Sequence, residues 1–281
     1  MKHSFDDRLV LITGGSSGIG LALAQQFAQE GAKVWMLARR KEALEIALQT
    51  LPAVGDRKHG IIAADVARWD QVQAAVQRLE EEAGIPDLLV NSAGVTESGY
   101  ADELPLEHYR QMMEINYFGT VHTVKAAVPA MLQRGSGHIV NISSVGGYVA
   151  APGYAAYSPS KYAVRAFSDV LRSELTPRGL KVSVVFPPDT DTPQLAYEKS
   201  HKAPELIQLQ EDGGLGPFRF GVHSAESVAE AILQGVRHGN YIILPGKANY
   251  VLYHAARLLG NLVYPILDDE WLSARRKHGK A

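Results

Sequence analysis

The chain has 281 residues, 46% of them hydrophobic, which suits one large globular domain with a sizeable core. Its formal net charge of −2 gives no electrostatic reason to expect a nucleic-acid partner. Cysteine is absent, which excludes disulfides and thiolate nucleophiles and suits a reducing cytoplasm. The histidines are scattered without clustered carboxylates, so no metal site is predicted, and no apolar run of a signal peptide opens the chain.

Strand-like apolar runs alternate with helical patterns along most of the chain. The predicted strands are 9–13, 33–38, 60–64, 87–91, 138–143, 181–186 and 241–244. The predicted helices are 18–29, 41–51, 71–83, 105–133, 154–176 and 224–237. Continuous apolar runs are typical of strands buried on both faces. The alternation therefore predicts an α/β fold, a Rossmann-type doubly wound parallel sheet with helices on both faces, in a single domain over residues 1–245.

A glycine turn, Thr13-Gly-Gly-Ser-Ser-Gly-Ile-Gly20, follows the first strand and opens the first helix. Glycines let the backbone approach a pyrophosphate, and a helix N-terminus supplies free amides and a favourable dipole. The position of the turn in a βαβ unit favours a dinucleotide site over a turn made for tight packing alone. The residues predicted to bind the cofactor here are Gly14, Ser16, Ser17, Gly18, Ile19 and Gly20.

The end of the second strand indicates which dinucleotide binds. An acidic residue there would bind the ribose 2′-hydroxyl and repel a 2′-phosphate. Arg39 and Arg40 stand there instead, and guanidinium groups favour phosphate through charge-assisted bonds. We therefore predict NADPH/NADP as cofactor, with Arg39 as the main contact and Ser16 as a helper; the alternative is that an arginine is only a solvated strand end.

The next two strand ends add weaker signals for the same site. Asp65 and Val66 close the third strand, where a carboxylate can accept a hydrogen bond from the adenine amino group. Asn91, Ala93 and Gly94 close the fourth strand, where small residues let the chain pass beneath a cofactor. Asn and Gly are also ordinary turn formers, so these residues gain weight only in combination with the glycine turn.

A tyrosine and a lysine in the predicted fifth helix, 154–176, carry the chemistry. Tyr157 and Lys161 are four residues apart and share a helix face. A tyrosine keeps its proton until about pH 10, and a nearby ammonium lowers that pKa by stabilising the phenolate. Ser144, at a strand end, can hold a carbonyl oxygen beside the tyrosine, which predicts protonation of a ketone as hydride arrives. Pro159 is tolerable only if it lies in the first turn of the helix or if the helix bends.

Taken in order, these motifs resemble the short-chain dehydrogenase/reductase family over roughly residues 1–245. The family's Asn-Asn-Ala-Gly motif corresponds to Asn91-Ser-Ala-Gly94, and its Tyr-x-x-x-Lys motif corresponds to residues 157–161. The resemblance implies that the tyrosine is the acid in reduction, that the lysine also binds the nicotinamide ribose, and that Ser144 orients the carbonyl. It also implies that Asn116 sustains a water-linked proton path to Lys161, with a helix-kinking core asparagine as the alternative.

The segment after the sixth strand narrows the resemblance. The family usually has Pro-Gly and then a threonine that contacts the cofactor, and here the string is Phe186-Pro-Pro-Asp-Thr-Asp-Thr-Pro193. Pro188 replaces the glycine, and Thr192 takes the place of the family threonine, with Pro187 and Thr190 as further predicted cofactor contacts. The string resembles the 3-ketodihydrosphingosine reductases, which reduce a long-chain 3-keto base with NADPH.

Two regions depart from the alternation of strands and helices. Residues 187–221 form a segment whose length is typical of a substrate lid. Residues 246–281 form a C-terminal extension that predicts an amphipathic helix over 249–267 followed by a basic end. The extension is too short and polar to span a membrane. It is either an interfacial helix on anionic lipid or a helix packed on the body, on another subunit or over the substrate mouth. The apolar residues of the lid are Leu195, Tyr197, Leu206, Ile207, Leu209, Leu215, Phe218 and Phe220.

An alkyl-chain substrate would explain the apolar lid and the apolar extension together, because each buried methylene contributes about 0.8 kcal/mol. The sequence therefore predicts an NADPH-dependent enzyme that reduces the ketone of a long-chain lipid. The alternatives are another carbonyl substrate (a 3-oxoacyl thioester, a steroid or a xenobiotic ketone) and a non-catalytic NADP-binding sensor, against which the tyrosine–lysine pair argues. The resemblance further implies a homo-oligomer that pairs through the helices at 105–133 and 154–176, and we expect a cytoplasmic protein with a peripheral membrane contact as one option.

Overall fold

The computed structural model describes residues 5–53, 58–211 and 221–278. Leu215, Phe218 and Phe220 of the predicted lid, and Lys280 of the basic end, lie outside these ranges. Within them the fold is built on a seven-stranded parallel sheet with the order β3-β2-β1-β4-β5-β6-β9. Its strands are β1 (Leu9–Thr13), β2 (Lys33–Ala38), β3 (Gly60–Ala63), β4 (Leu88–Asn91), β5 (Gly137–Ile142), β6 (Leu180–Val185) and β9 (Ile242–Ile243).

Helices cover both faces of the sheet, and this explains why apolar and polar residues do not alternate along the strands. Every residue of β1 is buried, with Val10 and Ile12 in one hydrophobic core and Leu9 and Leu11 in the other. The first core is closed by α1 (Gly18–Gln29), α2 (Lys41–Gln49) and α9 (Ala225–His238). The second is closed by α3 (Trp69–Glu82), α5 (Gly119–Arg134) and α6 (Tyr157–Leu175). The predicted doubly wound fold is confirmed.

The predicted helix at 105–133 is not continuous, so that prediction is wrong in detail. It divides into α4 (Leu106–Met112), a π-helical segment (Met113–Phe118) and α5. Two contacts accompany the wider turn. The buried Asn116 side chain hydrogen-bonds the Val95 backbone, and a Cβ built on Gly119 would lie 2.8 Å from Val66 Cγ2. Single π turns of this kind occur frequently at functional sites.

Helix α6 begins at Tyr157, three residues later than predicted. Pro159 is therefore its third residue and lies in the first turn. Proline is tolerated there because the first amides of a helix have no intrahelical acceptor. The first of the two conditions that the sequence set for Pro159 is met.

The segment predicted as a loop at 187–221 contains regular structure in its described part. Strand β7 (Thr190–Asp191) pairs with β8 (His223–Ser224), and the helices α7 (Pro193–His201) and α8 (Pro204–Glu211) lie between them. Of the prolines in this segment, Pro193 and Pro204 are the first residues of α7 and α8. Thr192 caps α7, since its Oγ1 accepts a hydrogen bond from Leu195 N at 3.3 Å.

The C-terminal extension forms two helices, α10 (Lys247–Leu259) and α11 (Val263–Lys277), separated by a turn at Gly260 with φ +53°. Leu252, Tyr253 and Leu267 pack in a third hydrophobic core against the body of the protein. Helix α11 also contacts α8, and the Trp271 and Tyr100 rings lie 6.0 Å apart. Across the described residues, no helix combines the length and the apolar character that crossing a bilayer requires.

Candidate active site

A cavity of about 400 Å³ opens at the carboxyl ends of the strands, near the point between β1 and β4 where the strand order reverses. Ligands of doubly wound sheets bind at this kind of switch point. Two predicted site residues, Asn91 and Asn116, are not among the residues that line the cavity. The predicted residues that do line it are Gly14, Ser16, Ser17, Gly18, Ile19, Gly20, Arg39, Arg40, Asp65, Val66, Ala93, Gly94, Ser144, Tyr157, Lys161, Pro187, Thr190 and Thr192.

The glycine turn holds β1, α1 and the end of β4 in close contact. Gly14 has φ +69°, and a Cβ on it would lie 2.8 Å from Ala93 Cα. A Cβ on Gly20 would lie 2.3 Å from the Gly14 carbonyl oxygen. Ser17 occupies the N-cap of α1 without a side-chain capping bond. The first amides of α1 can therefore bind an anionic group in the cavity.

Arg39 and Arg40 both lie at the cavity, at the end of β2, and both are exposed. Within the described ranges neither guanidinium forms an ion pair with a carboxylate. Asp65 lies on the neighbouring strand end, where its Oδ1 accepts a hydrogen bond from Ala67 N at 3.0 Å. The two guanidinium groups thus remain free to bind a phosphate at this edge of the cavity.

Asn91 does not line the cavity, and its contact with the cofactor stays a prediction. Its side chain is buried between β4, β5 and α5. Asn91 Nδ2 donates to Asn141 Oδ1 at 2.9 Å, and Thr123 Oγ1 donates to Asn91 Oδ1 at 2.5 Å. A buried amide needs such partners, and here they tie the strand to its neighbours.

Asn116 lies behind the cavity wall and joins three parts of the chain. Val95 N donates to Asn116 Oδ1 at 2.8 Å, while Asn116 Nδ2 donates to Val95 O at 3.0 Å and to Ser160 Oγ at 2.9 Å. A Cβ on Gly94 would lie 3.1 Å from Asn116 Oδ1 and 3.2 Å from Lys161 Nζ. The amide therefore positions Gly94 and α6 from outside the cavity, and its part in a proton path stays a prediction.

Ser144, Tyr157 and Lys161 meet at one wall of the cavity. The Ser144 side chain lies beside the Tyr157 hydroxyl, and its Oγ accepts from Gly146 N at 3.1 Å. Lys161 is 5% exposed; its Nζ lies 5.7 Å from the centre of the Tyr157 ring and donates to Ile142 O at 3.2 Å. The neighbouring Ser143 hydroxyl donates to the Lys161 carbonyl oxygen at 2.9 Å, so Ser144 is the serine that engages the tyrosine.

The pKa of Tyr157 does not follow the prediction. Burial raises the pKa of its hydroxyl above 10, the hydrogen bond with Ser144 opposes this, and the Glu198 and Asp189 carboxylates add to the rise. The predicted net lowering of this pKa by Lys161 is therefore wrong, and burial is the largest effect. Burial also lowers the pKa of Lys161 to about 8. Near neutral pH the tyrosine therefore holds a proton to donate, and the lysine remains mostly charged.

Tyr154, Asp189 and Glu198 are among the polar residues of the cavity wall that are absent from the predicted set. The Tyr154 hydroxyl donates to Glu198 Oε1, and Lys202 Nζ lies 2.6 Å from the same oxygen. The i, i+4 spacing of Glu198 and Lys202 is the one sequence signal for this group. It becomes informative only once the segment is seen to be helical.

Residues 8–203 match the short chain dehydrogenase family. The chain is 36% identical over 247 residues to a 3-dehydrosphinganine reductase of Danio rerio, covering 86% of this chain and 72% of that protein. It is 34% identical, with the same coverage, to a 3-ketodihydrosphingosine reductase of Mus musculus. The chain therefore belongs to the short chain dehydrogenase family.

Solved structures agree with this assignment. A short chain dehydrogenase/reductase from Burkholderia phymatum in complex with NAD superposes with a TM-score of 0.79 at 28% identity, covering 92% of this chain and 96% of that one. An actinorhodin polyketide ketoreductase with NADPH gives a TM-score of 0.75 at 31% identity, covering 84% and 94%. The chain is an oxidoreductase enzyme of this family that uses a nicotinamide cofactor.

Proposed function

We propose that this enzyme uses NADPH to reduce the ketone of a long-chain lipid, and that the lipid is 3-ketodihydrosphingosine, which becomes dihydrosphingosine. The observation that carries the proposal is the meeting of Ser144, Tyr157 and Lys161 in the cavity that also holds the glycine turn. The relatives named for this reaction cover most of the chain and support the choice of ketone.

The three side chains fit the protonation of a carbonyl oxygen. When bound, NADPH supplies the hydride. The Ser144 hydroxyl donates a hydrogen bond to the carbonyl oxygen and holds it beside Tyr157, whose raised pKa keeps its proton in place until the oxygen becomes basic. The Lys161 ammonium then stabilises the phenolate that remains.

The residues around the rest of the cavity suit the cofactor. The α1 amides and the glycine turn would hold the pyrophosphate, and Thr192 lies beside the turn, since a Cβ on Gly18 would be 3.1 Å from its Cγ2. Asp65 would accept from the adenine amino group. Arg39 and Arg40 would bind the 2′-phosphate of NADPH, which NADH lacks.

The preference for NADPH is tested by Arg39→Asp. The substitution removes a charge-assisted bond and adds repulsion, so the ratio of kcat/KM with NADPH to that with NADH should fall by roughly 10- to 100-fold. Arg178→Asp, at a surface turn away from the cavity, is the control and should leave the ratio unchanged. An unchanged ratio in the Arg39 variant would remove that residue from the cofactor site.

We also propose that residues 1–245 form the catalytic domain and that residues 246–281 provide a peripheral membrane contact. The corner between α10 and α11 presents an exposed apolar tip, and the last turn of α11 is basic. Asp268 and Asp269 place negative charge between the apolar tip and the basic turn, which weakens the attraction of that turn to anionic lipid. The proposal therefore depends mainly on the apolar tip. The tip consists of Leu258, Leu259, Leu262, Tyr264 and Ile266.

We further propose that two copies of this chain form a dimer. Phe118 and Val170 are exposed on the π-helical segment and α6, which contact each other within the chain. Unpartnered apolar side chains on the two long helical segments suit a dimer interface. Light scattering on the purified protein should give twice the chain mass, and Val170→Glu should reduce it to the chain mass; a monomer at all concentrations would refute pairing.

The substrate is tested by NADPH consumption with 3-ketodihydrosphingosine beside shorter acyclic ketones and cyclic ketones. We expect kcat/KM to rise with chain length, because each added methylene group is transferred from water into the apolar part of the cavity. Equal activity across chain lengths would point to another carbonyl substrate. Tight NADPH binding without consumption on any ketone would mean that the chain is a sensor.

A further inference from the structure

A buried polar group borders the proposed reaction centre, and we call it the lid cluster. It consists of Tyr154, Asp189, Glu198, Lys202 and Gln210. Tyr154, Asp189 and Glu198 line the cavity that contains Tyr157, and the Tyr154 and Tyr157 rings lie 5.8 Å apart. Glu198 and Lys202 are each 7% exposed. None of these five residues has a direct part in the carbonyl protonation described above; Asp189 and Glu198 act on it only through the pKa of Tyr157.

The lid cluster holds two carboxylates around one buried ammonium. Lys202 Nζ lies 2.6 Å from Glu198 Oε1 and donates to Tyr154 Oη at 2.5 Å and to Gln210 Oε1 at 3.0 Å. Asp189 Oδ2 accepts from the neutral Gln210 amide at 2.6 Å. The half-buried Lys199 is the other cation that acts on Asp189, and it forms no ion pair with it in the described part of the chain. Asp189 is thus held by a neutral amide, without a cation in ion-pair contact among the described residues.

Two carboxylates of the cavity wall each have an oxygen with a vacant acceptor position. In the described ranges Glu198 Oε2 and Asp189 Oδ1 accept no hydrogen bond, although both residues line the cavity. Ser158 is 3% exposed and also lines the cavity, and its hydroxyl has no partner there. A half-buried carboxylate without an ion-pair partner, as at Asp189, and a buried hydroxyl without a hydrogen-bond partner are both unfavourable, and a polar, cationic ligand would satisfy them.

We propose that Asp189 and Glu198 bind the ammonium group of an amino ketone and so select substrates whose amine lies next to the carbonyl that Tyr157 protonates. This rests on the proposed function, because 3-ketodihydrosphingosine carries its amine on the carbon beside the ketone. An ammonium has three donors and no acceptor, which matches free carboxylate oxygens. Simple lipid ketones, steroids and acyl thioesters offer no such charge.

The test compares NADPH consumption on 3-ketodihydrosphingosine with that on the matched 1-hydroxy-3-ketone of equal chain length without the amine. The wild-type enzyme should prefer the amine by roughly 10- to 100-fold in kcat/KM, the range expected for a charge-assisted hydrogen-bonded contact. Asp189→Asn, which keeps the shape and the Gln210 contact, should reduce that preference at least tenfold.

Asp191→Asn is the matched control, because Asp191 is an exposed carboxylate two residues away that does not line the cavity. A binding measurement guards against a variant that simply folds poorly. By calorimetry, Asp189→Asn should bind NADPH like the wild type and should bind the amine product dihydrosphingosine at least tenfold more weakly. Equal loss of NADPH and product affinity, or unchanged product affinity, would overturn the proposal.

The outcomes separate this inference from the function on which it rests. Equal activity on both long-chain ketones would refute the ammonium site and leave the lipid reductase standing. A preference for amino ketones of every chain length would support the ammonium site and refute the lipid substrate. Failure to reduce any ketone would refute both.

Discussion

At the scale of single residues, burial decides the chemistry of the site. Tyr157 keeps a proton to donate because its surroundings disfavour the phenolate, and Lys161 carries its charge in a buried position at a cost. A free acid–base pair in water would show neither property. Substitution of either residue should lower activity, and substitution of Lys161 should also raise the stability of the fold.

The first residue prediction concerns Tyr157→Phe. The variant keeps the ring and loses the donated proton, so kcat should fall roughly 10²- to 10⁴-fold. NADPH affinity, measured by the fluorescence of the bound nucleotide, should change little. Tyr162→Phe, on the same helix and outside the cavity lining, is the control. Full activity in the Tyr157 variant would contradict the proposed mechanism.

The second concerns Lys161→Met and the stability of the fold. The pKa of about 8 lies below the ordinary 10.5, so the charged lysine destabilises the folded chain by about 3 kcal/mol at neutral pH. This cost is complete below pH 8 and disappears as the pH rises towards 10.5, because the unfolded chain binds the additional proton in that window. In urea at pH 7 the inactive variant should be more stable than the wild type.

The difference in free energy of unfolding between Lys161→Met and the wild type should shrink as the pH rises from 8 to 10. Lys125→Met, at an exposed position on α5, should show no such pH-dependent difference. A variant less stable than the wild type at every pH would mean that the contact from Nζ to the Ile142 carbonyl outweighs the buried charge.

Sequence patterns predict residues well where the chemistry is local and poorly where distant segments meet. Tyr157 and Lys161 share one helix turn, and their positions in the cavity follow from their spacing. Asparagine is a common turn residue, yet the side chain of Asn91 hydrogen-bonds residues of β5 and α5. The contact between Tyr154 and Glu198 joins residues 44 apart in the chain, so no local pattern reveals it.

At the scale of elements, the junction of β1 and α1 depends on bare backbone. Gly20→Ala would place a methyl group against the Gly14 carbonyl oxygen, which belongs to rigid backbone. The free energy of unfolding should fall by roughly 1–3 kcal/mol, and NADPH binding should weaken as the turn shifts. Thermal and urea unfolding would measure the first effect and nucleotide fluorescence the second.

Gly221→Ala is the matched control for that change. A Cβ at Gly221 meets nothing within 4 Å, so stability and nucleotide binding should both stay close to the wild type. Equal effects of the two substitutions would show that lost chain flexibility, and not the close approach at the turn, accounts for the result.

Elements with a strong period or an apolar run are predicted almost to the residue, as β1, β2 and α1 show. The prolines of the 187–221 segment mislead, because proline favours the first turn of a helix as readily as a loop. The sequence pattern does not predict the π-helical segment before α5 either. It depends on Asn116 reaching Val95, a contact that the helical period does not encode.

At the scale of the whole molecule, the exposed tip of the C-terminal extension predicts association with lipid vesicles. Flotation should recover the full-length protein with vesicles of neutral lipid and recover more with anionic lipid. A version ending at Gly246, and Leu258→Asp in the full chain, should remain unbound. Leu258 is 88% exposed, so its substitution should not disturb folding.

Leu106→Asp, at another exposed leucine on α4, is the control for that experiment and should float like the wild type. Identical flotation of the full chain and the version ending at Gly246 would discard the membrane contact. The extension would then serve only to pack against the body, which Leu252 and Leu267 already do.

The packing of α11 on α8 links the extension to the lid cluster, since Gln210 of α8 donates to Asp189. Because α11 and α8 are in contact, a ligand that shifts one helix can shift the other. The coupling free energy is then the same in both directions. By reciprocity, a substrate that draws α8 inward would strengthen or weaken adhesion of the tip to a bilayer. Flotation with and without bound dihydrosphingosine would reveal that coupling as a change in the vesicle-bound fraction.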